Sequence, residues 1–136
     1  MPYELFITSE FSAAHNLRHY KGKCERLHGH NWRVDLRLEG TRLSREGLLM
    51  DFVEAKRILA EVIDPLDHAY LNEAPPFDRL NPSSENIARV VAEAVAKRMP
   101  RGVRVASVTC WESARCAATY TPTEVQSSKL KVQSSR

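Results

Sequence analysis

From Trp32 to Glu39 apolar and charged side chains alternate without a break: Trp32, Val34, Leu36 and Leu38 against Arg33, Asp35, Arg37 and Glu39. A period of two belongs to a β-strand, and strict alternation means one covered face and one exposed face. Residues 3–13 carry a second such pattern, with Tyr3, Leu5, Ile7, Phe11 and Ala13 in phase and Phe6 as an irregularity. A charged stretch containing Gly22, roughly 16–27, lies between them and reads as a loop. Residues 103–112 alternate again, placing Val103, Val105, Ser107, Thr109 and Trp111 on one parity, and 116–121 reads as a last strand.

The middle of the chain has helical spacing instead. Residues 41–50 form a connection, and Asp51 is placed to cap a helix, with Glu54 three positions on completing a capping box. Phe52, Ala55, Leu59, Val62, Ile63 and Leu66 make its apolar stripe, which Pro65 ends. The proline-containing stretch 70–82 reads as a loop. A second helix starts near Ser83 or Ser84, with Ile87, Val90, Val91, Ala94 and Val95 facing inward, and ends near Met99 to Gly102. The order β-β-α-α-β-β, strands flanking a helical middle, predicts an α+β fold with an antiparallel sheet and both helices on one face. Residues 1–122 are expected to form one domain and 123–136, rich in Ser, Lys and Gln, a flexible tail.

Composition excludes some classes. A net charge of +3, without a gathered basic patch, does not describe a nucleic-acid binder. No apolar run approaches the roughly 18 residues of a membrane span, and the first residues lack the basic and apolar regions of a secretory signal. Three cysteines without framework spacing fit a reduced, cytoplasmic compartment.

The strongest chemical signal is Cys24-Glu-Arg-Leu-His28-Gly-His30. Two histidines one residue apart at a strand start share a face. His15 follows the first strand in phase with Phe11 and Ala13, so a hairpin would bring it to His28 and His30. Three neutral imidazoles suit a catalytic zinc with an open position. His19, alone in the loop, reads as surface. Cys24, four residues before His28, is either a base or nucleophile favoured as thiolate near a metal, or a fourth ligand that closes a structural site. Spacing leaves both open. Asp67-His68 is a weak signal by itself, because adjacent side chains rarely point the same way. Glu112 opposes Trp111 by parity, so one of the two should face inward. Cys110 and Cys116 fall inside strand patterns.

Together these segments resemble a known family. Cys24-x-x-x-His28-Gly-His30-Asn31-Trp32, Met50-Asp51-Phe52, Leu66-Asp67-His68-x-Tyr70-Leu71-Asn72, Pro82-Ser83-Ser84-Glu85-Asn86-Ile87-Ala88 and Trp111-Glu112-Ser113 resemble the 6-pyruvoyl-tetrahydropterin synthase family, from about Tyr3 to Tyr120. Within it they are most similar to the bacterial branch that forms 6-carboxy-tetrahydropterin. Three residues separate Cys24 from His28, as in that branch, where pyruvoyl-forming members usually have one more. A folate-linked branch has glutamate in place of the cysteine.

The resemblance implies the tunnelling fold, in which subunits join their sheets into an oligomeric barrel with active sites between them, commonly a hexamer of two trimers. It implies zinc on His15, His28 and His30, Cys24 as general base, and Asp67 and His68 as the proton-handling pair. Glu112 would anchor the pterin ring, and Ser83, Ser84 and Glu85 would lie near its pocket. The implied activity is conversion of 7,8-dihydroneopterin triphosphate to 6-carboxy-5,6,7,8-tetrahydropterin with loss of acetaldehyde and triphosphate, on the way to queuosine and other 7-deazapurines. The alternatives are 6-pyruvoyl-tetrahydropterin formation from the same substrate and a non-catalytic structural zinc module.

Overall fold

The computed structural model describes residues 2–22 and 25–123. Five strands and two helices follow the order β1 (Tyr3–His15), β2 (His28–Gly40), α1 (Phe52–Ile63), β3 (Ala69–Tyr70), α2 (Ser84–Ala96), β4 (Val103–Trp111) and β5 (Ala117–Tyr120). They form one sheet in the order β3-β1-β2-β4-β5. The β1–β2, β2–β4 and β4–β5 pairs are antiparallel, as the alternation and the element order predict. The two-residue β3, which falls inside the stretch read as a loop, adds to the edge of β1 in parallel and makes the sheet mixed. The tail expected at 123–136 lies, beyond Thr123, outside the described residues.

The core lies between the helices and one face of the sheet. Trp32, Val34, Leu36 and Leu38 of β2 are fully buried there. Trp32 stacks on Phe11 of β1 at 5.9 Å, and its indole N–H donates to Ala13 O at 3.2 Å, so its one polar atom is satisfied. Burying each such side chain contributes roughly 1.5–3 kcal/mol. From α1 come Ala55, Ile58, Leu59 and Ile63; from α2 come Ile87, Ala88, Val91, Ala92 and Val95. These stripes sit slightly rotated from those read in sequence. Phe52, at the first turn of α1, is half exposed, while Ile58, Ala88 and Ala92 take inner positions.

Asp51 caps α1 as expected, accepting from Val53 N at 2.8 Å. Glu54 does not complete the box. Its carboxylate pairs with the Arg57 guanidinium one turn on, a charge-assisted partner stronger than a single backbone N–H.

Two departures from strict alternation matter. On the sheet face away from the core, expected to be exposed, Asp35 is buried. It accepts from Thr8 Oγ1 (2.8 Å), Arg33 Nε (2.8 Å) and Trp111 Nε1 (2.9 Å), so it is fully satisfied. In β4, Arg37 pairs with Ser107 and Leu38 with Val105, leaving Ala106 as the extra residue of a β-bulge. The bulge reverses the parity. Val103 and Val105 face the core before it, and Val108 and Cys110 after it. The reading that put Ser107, Thr109 and Trp111 on the Val103 face is corrected on this ground. No helix among the described residues is long and apolar enough to cross a membrane.

Candidate metal centre

The hairpin carries its alternation past the hydrophobic residues into the histidines. His15 is paired with His28, Ala13 with His30 and Phe11 with Trp32. Period two therefore sets His15 in line with Phe11 and Ala13, and His28 and His30 in line with Trp32, all on the core-facing side. His15 is 2% exposed, and its ring meets the Trp32 indole edge-on at 4.8 Å. The β4 bulge sends Glu112 to the same side, in phase with Val108 and Cys110. The ligand-type atoms of His15, His28, His30 and Glu112 lie within 4.8 Å of one another, so this group could hold a metal ion.

The hydrogen bonds around the rings fix how they present themselves. His15 Nδ1 donates to Pro82 O at 2.7 Å, and His28 Nδ1 donates to Arg26 O at 2.8 Å. A carbonyl only accepts, so each Nδ1 carries a proton, and a lone pair on either ring, when it is neutral, lies outward at Nε2. Those two Nε2 atoms stand 3.1 Å apart. Two lone pairs at that distance repel unless a proton or a cation lies between them. Two nitrogens on one tetrahedral zinc would be ~3.3 Å apart, from bonds of ~2.05 Å. His30 Nε2 is buried and has no hydrogen-bond partner: Glu112 Oε1 stands 2.9 Å away, but not in line for a hydrogen bond. An orphaned buried nitrogen beside two facing lone pairs is the donor set that a bound cation satisfies. Backbone carbonyls on the far ring nitrogens are the usual support of metal-bound imidazoles.

Burial holds His15 below the usual imidazole pKa; the Pro82 carbonyl opposes this, His28 and His30 add to it, and the Glu112 carboxylate opposes it. The result favours the neutral ring, the form that ligates.

Glu112, expected at the pterin ring, has Oε1 at 2.9 Å from His30 Nε2 and 3.8 Å from His15 Nε2. Asp67 and His68 meet each other at 3.1 Å, although adjacent side chains seldom do. His68 has φ +58°, a left-handed backbone uncommon outside glycine and concentrated at functional positions. Ser12 fixes the turn, with its N–H donating to Asp67 Oδ1 (2.9 Å) and its carbonyl accepting from His68 N (2.5 Å). The Ser12 N–H and His68 hold the Asp67 carboxyl below its ordinary range. This pair lies at the β1–β3 edge and is not among the four clustered ligand-type residues. His68, largely exposed, shares a shallow depression there with Ser12, Gly29, His30 and Asn31.

The segment expected near the pterin pocket follows Pro82, whose carbonyl touches the centre at His15. Ser83 Oγ caps α2, accepting from Asn86 N at 3.1 Å; Ser84 is buried and Glu85 exposed. Cys24 lies outside the described residues. His19 is exposed, as expected. Cys110 is buried, its thiol pushed up to about 12 chiefly by burial, with Glu112 and Glu85 adding to the effect, so it is inert near neutral pH. Cys116 is exposed. The sequence reading gave no role to Arg18, Asn72 and Asn81, which tie the loop after His15 to the segment before α2. Asn72 stood at the end of a family motif, and Arg18 and Asn81 were only polar residues in loops.

The sequence model of the 6-pyruvoyl tetrahydropterin synthase family matches residues 4–123. The chain belongs to this family. It is 41% identical over 102 residues to an Archaeoglobus fulgidus protein provisionally named a 6-carboxy-5,6,7,8-tetrahydropterin synthase, covering 74% of this chain and 84% of that one. It is 37% identical over 112 residues to the 6-carboxy-5,6,7,8-tetrahydropterin synthase of Synechocystis (77% and 85% covered). A third relative, 31% identical over 112 residues (82% and 91% covered), is the dihydroneopterin monophosphate aldolase of Pyrococcus furiosus. The fold is that of the Caenorhabditis elegans 6-pyruvoyl tetrahydropterin synthase, with a TM-score of 0.77 at 24% identity over 89% of this chain and 96% of that one.

Proposed function

We propose that this protein is a zinc-dependent carbon–carbon lyase that converts 7,8-dihydroneopterin triphosphate and one water to 6-carboxy-5,6,7,8-tetrahydropterin, acetaldehyde and triphosphate. The observation that carries the reading is the convergence of His15, His28 and His30, two with their tautomers fixed, in a chain 37–41% identical to relatives of that name. The product would feed queuosine and related 7-deazapurines, in the cytoplasm and in a homo-oligomer.

His15, His28 and His30 would hold the zinc. Bound there, it supplies Lewis acidity toward the hydroxyl oxygens of the substrate side chain. Cys24, as thiolate, takes a side-chain proton. His68, oriented by Asp67 but set at the β1–β3 edge apart from the histidine group of its own chain, would serve as the complementary acid and base at a site shared between subunits of the homo-oligomer. Glu112 accepts from the N–H and amino group of the pterin edge and sets the reacting carbon in register, with Ser83, Ser84 and Glu85 nearby.

Product identity tests the reading. Zinc-loaded protein incubated with 7,8-dihydroneopterin triphosphate should give 6-carboxy-tetrahydropterin and acetaldehyde by mass spectrometry. A 6-pyruvoyl product moves the chain to the other branch. Turnover of a dihydroneopterin monophosphate instead aligns it with the Pyrococcus furiosus relative.

Glu112 carries a second reading, because its Oε1 stands within reach of two imidazole nitrogens: a fourth metal ligand. Glu112→Gln separates the two. As a ring anchor, Glu112 contributes a charged hydrogen bond of ~1.5–3 kcal/mol. The variant should then bind pterin roughly 10–100-fold more weakly at unchanged metal content. Loss of metal would make Glu112 a ligand.

A further inference from the structure

The backbone leaving β1 after His15 runs beside the segment entering α2, and asparagine side chains lace them together. Arg18 N donates to Asn81 Oδ1 at 2.7 Å, and Asn81 Nδ2 donates back to Arg18 O at 3.0 Å. Asn16 N donates to Asn72 Oδ1 at 3.0 Å, and Asn72 Nδ2 donates back to Asn16 O at 2.8 Å. Each amide imitates a neighbouring strand, meeting both backbone groups of one residue. Asn81 is the clamp next to the metal centre, since it directly precedes Pro82, whose carbonyl holds the His15 ring.

The Asn81 carbonyl is engaged as well, accepting from Asn86 Nδ2 and from Ser83 N, both at 2.9 Å. Pro82 is therefore pinned on both sides, by the Arg18–Asn81 clamp before it and by the Ser83 cap of α2 after it. Its own φ is locked by the ring. His15 is 2% exposed, so water has little access to replace the Pro82 carbonyl if it moves. The Nδ1–H would then be buried without a partner, or the ring would change tautomer and lose its outward lone pair.

We propose that Asn81 is a positioning residue of the metal centre: by clamping Arg18 it fixes the Pro82 carbonyl that sets the tautomer and orientation of His15. This rests on the reading of His15 as a metal ligand given above. The test uses the full chain with Asn81→Asp, which keeps the acceptor for Arg18 N but sets an oxygen against Arg18 O, and with the milder Asn81→Ser.

Zinc affinity by chelator competition should fall ~10–100-fold, the usual effect of losing outer-shell support. In the metal-free protein, imidazole nitrogen chemical shifts should report an altered tautomer at His15 and a smaller change at His28, whose own carbonyl partner, Arg26, follows Glu25, a residue bonded to Asn16 and Leu17 rather than to Asn81. Zinc affinity within twofold of the parent with His15 unchanged overturns the proposal. So do equal changes at both rings, or failure of both variants to fold, because Asn81 is then a general structural residue. If the parent itself binds no zinc, the proposed function fails, while the nitrogen shifts still decide whether Asn81 sets His15.

Discussion

His28→Ala should bind zinc more than ~100-fold more weakly than the parent, a loss beyond that of an outer-shell partner. His28 is the informative histidine to remove. Its side chain is 35% exposed, so truncation opens no large cavity in the core, whereas His15 is 2% exposed and its loss would confound ligation with packing. The variant should melt where the metal-free parent melts. Metal content by elemental analysis and competition with a chelator check the result, and unchanged zinc removes His28 from the centre. The expectation follows from the facing Nε2 atoms of His15 and His28, 3.1 Å apart with both Nδ1 atoms already donating. Removing one ring would leave two imidazoles of the proposed three to hold the ion.

Cys24→Ala should keep zinc and fold, and lose turnover by ~10²–10⁴, the worth of one positioned acid or base. The competing role, a fourth ligand in a closed structural site, predicts loss of metal instead. Labelling with a thiol reagent while zinc stays bound separates them further: a base reacts and a ligand is protected. Cys116 is exposed and would react too, so Cys116→Ser is the background for the measurement. Cys110 is buried with its thiol raised to about 12 and stays silent near neutral pH.

How far the sequence could be read depended on how local the cause was. The pairing of His15 with His28 was legible because two facts sufficed: a hairpin, and a period that holds along both strands. The Asp51 cap and the start of α2 at Ser83–Ser84 were legible for the same reason, each being settled within one turn of helix. The side on which Glu112 falls was not. It depends on Ala106 bulging from β4, and Val103 to Trp111 reads as an unbroken alternation. The Asp67–His68 contact was also hidden, because it needs a left-handed φ at His68 that the surrounding residues do not announce. Glu54 departed from the capping box because Arg57, one turn away, is the stronger partner.

The sequence by itself determined four of the five strands, the helices, the shared face of the three histidines and the family, since these follow from short-range periodicity and from motifs in order. Only the tertiary structure decided which nitrogens face one another, which carbonyls hold the rings and which asparagines hold the carbonyls. Asn81 reaches Arg18 and Pro82 reaches His15 across more than sixty residues of chain. Contacts of that range leave no periodic trace, because each partner is a single polar residue in a loop until the core of Trp32, Leu36 and Leu38 packs and brings the two loops to the same end of the sheet.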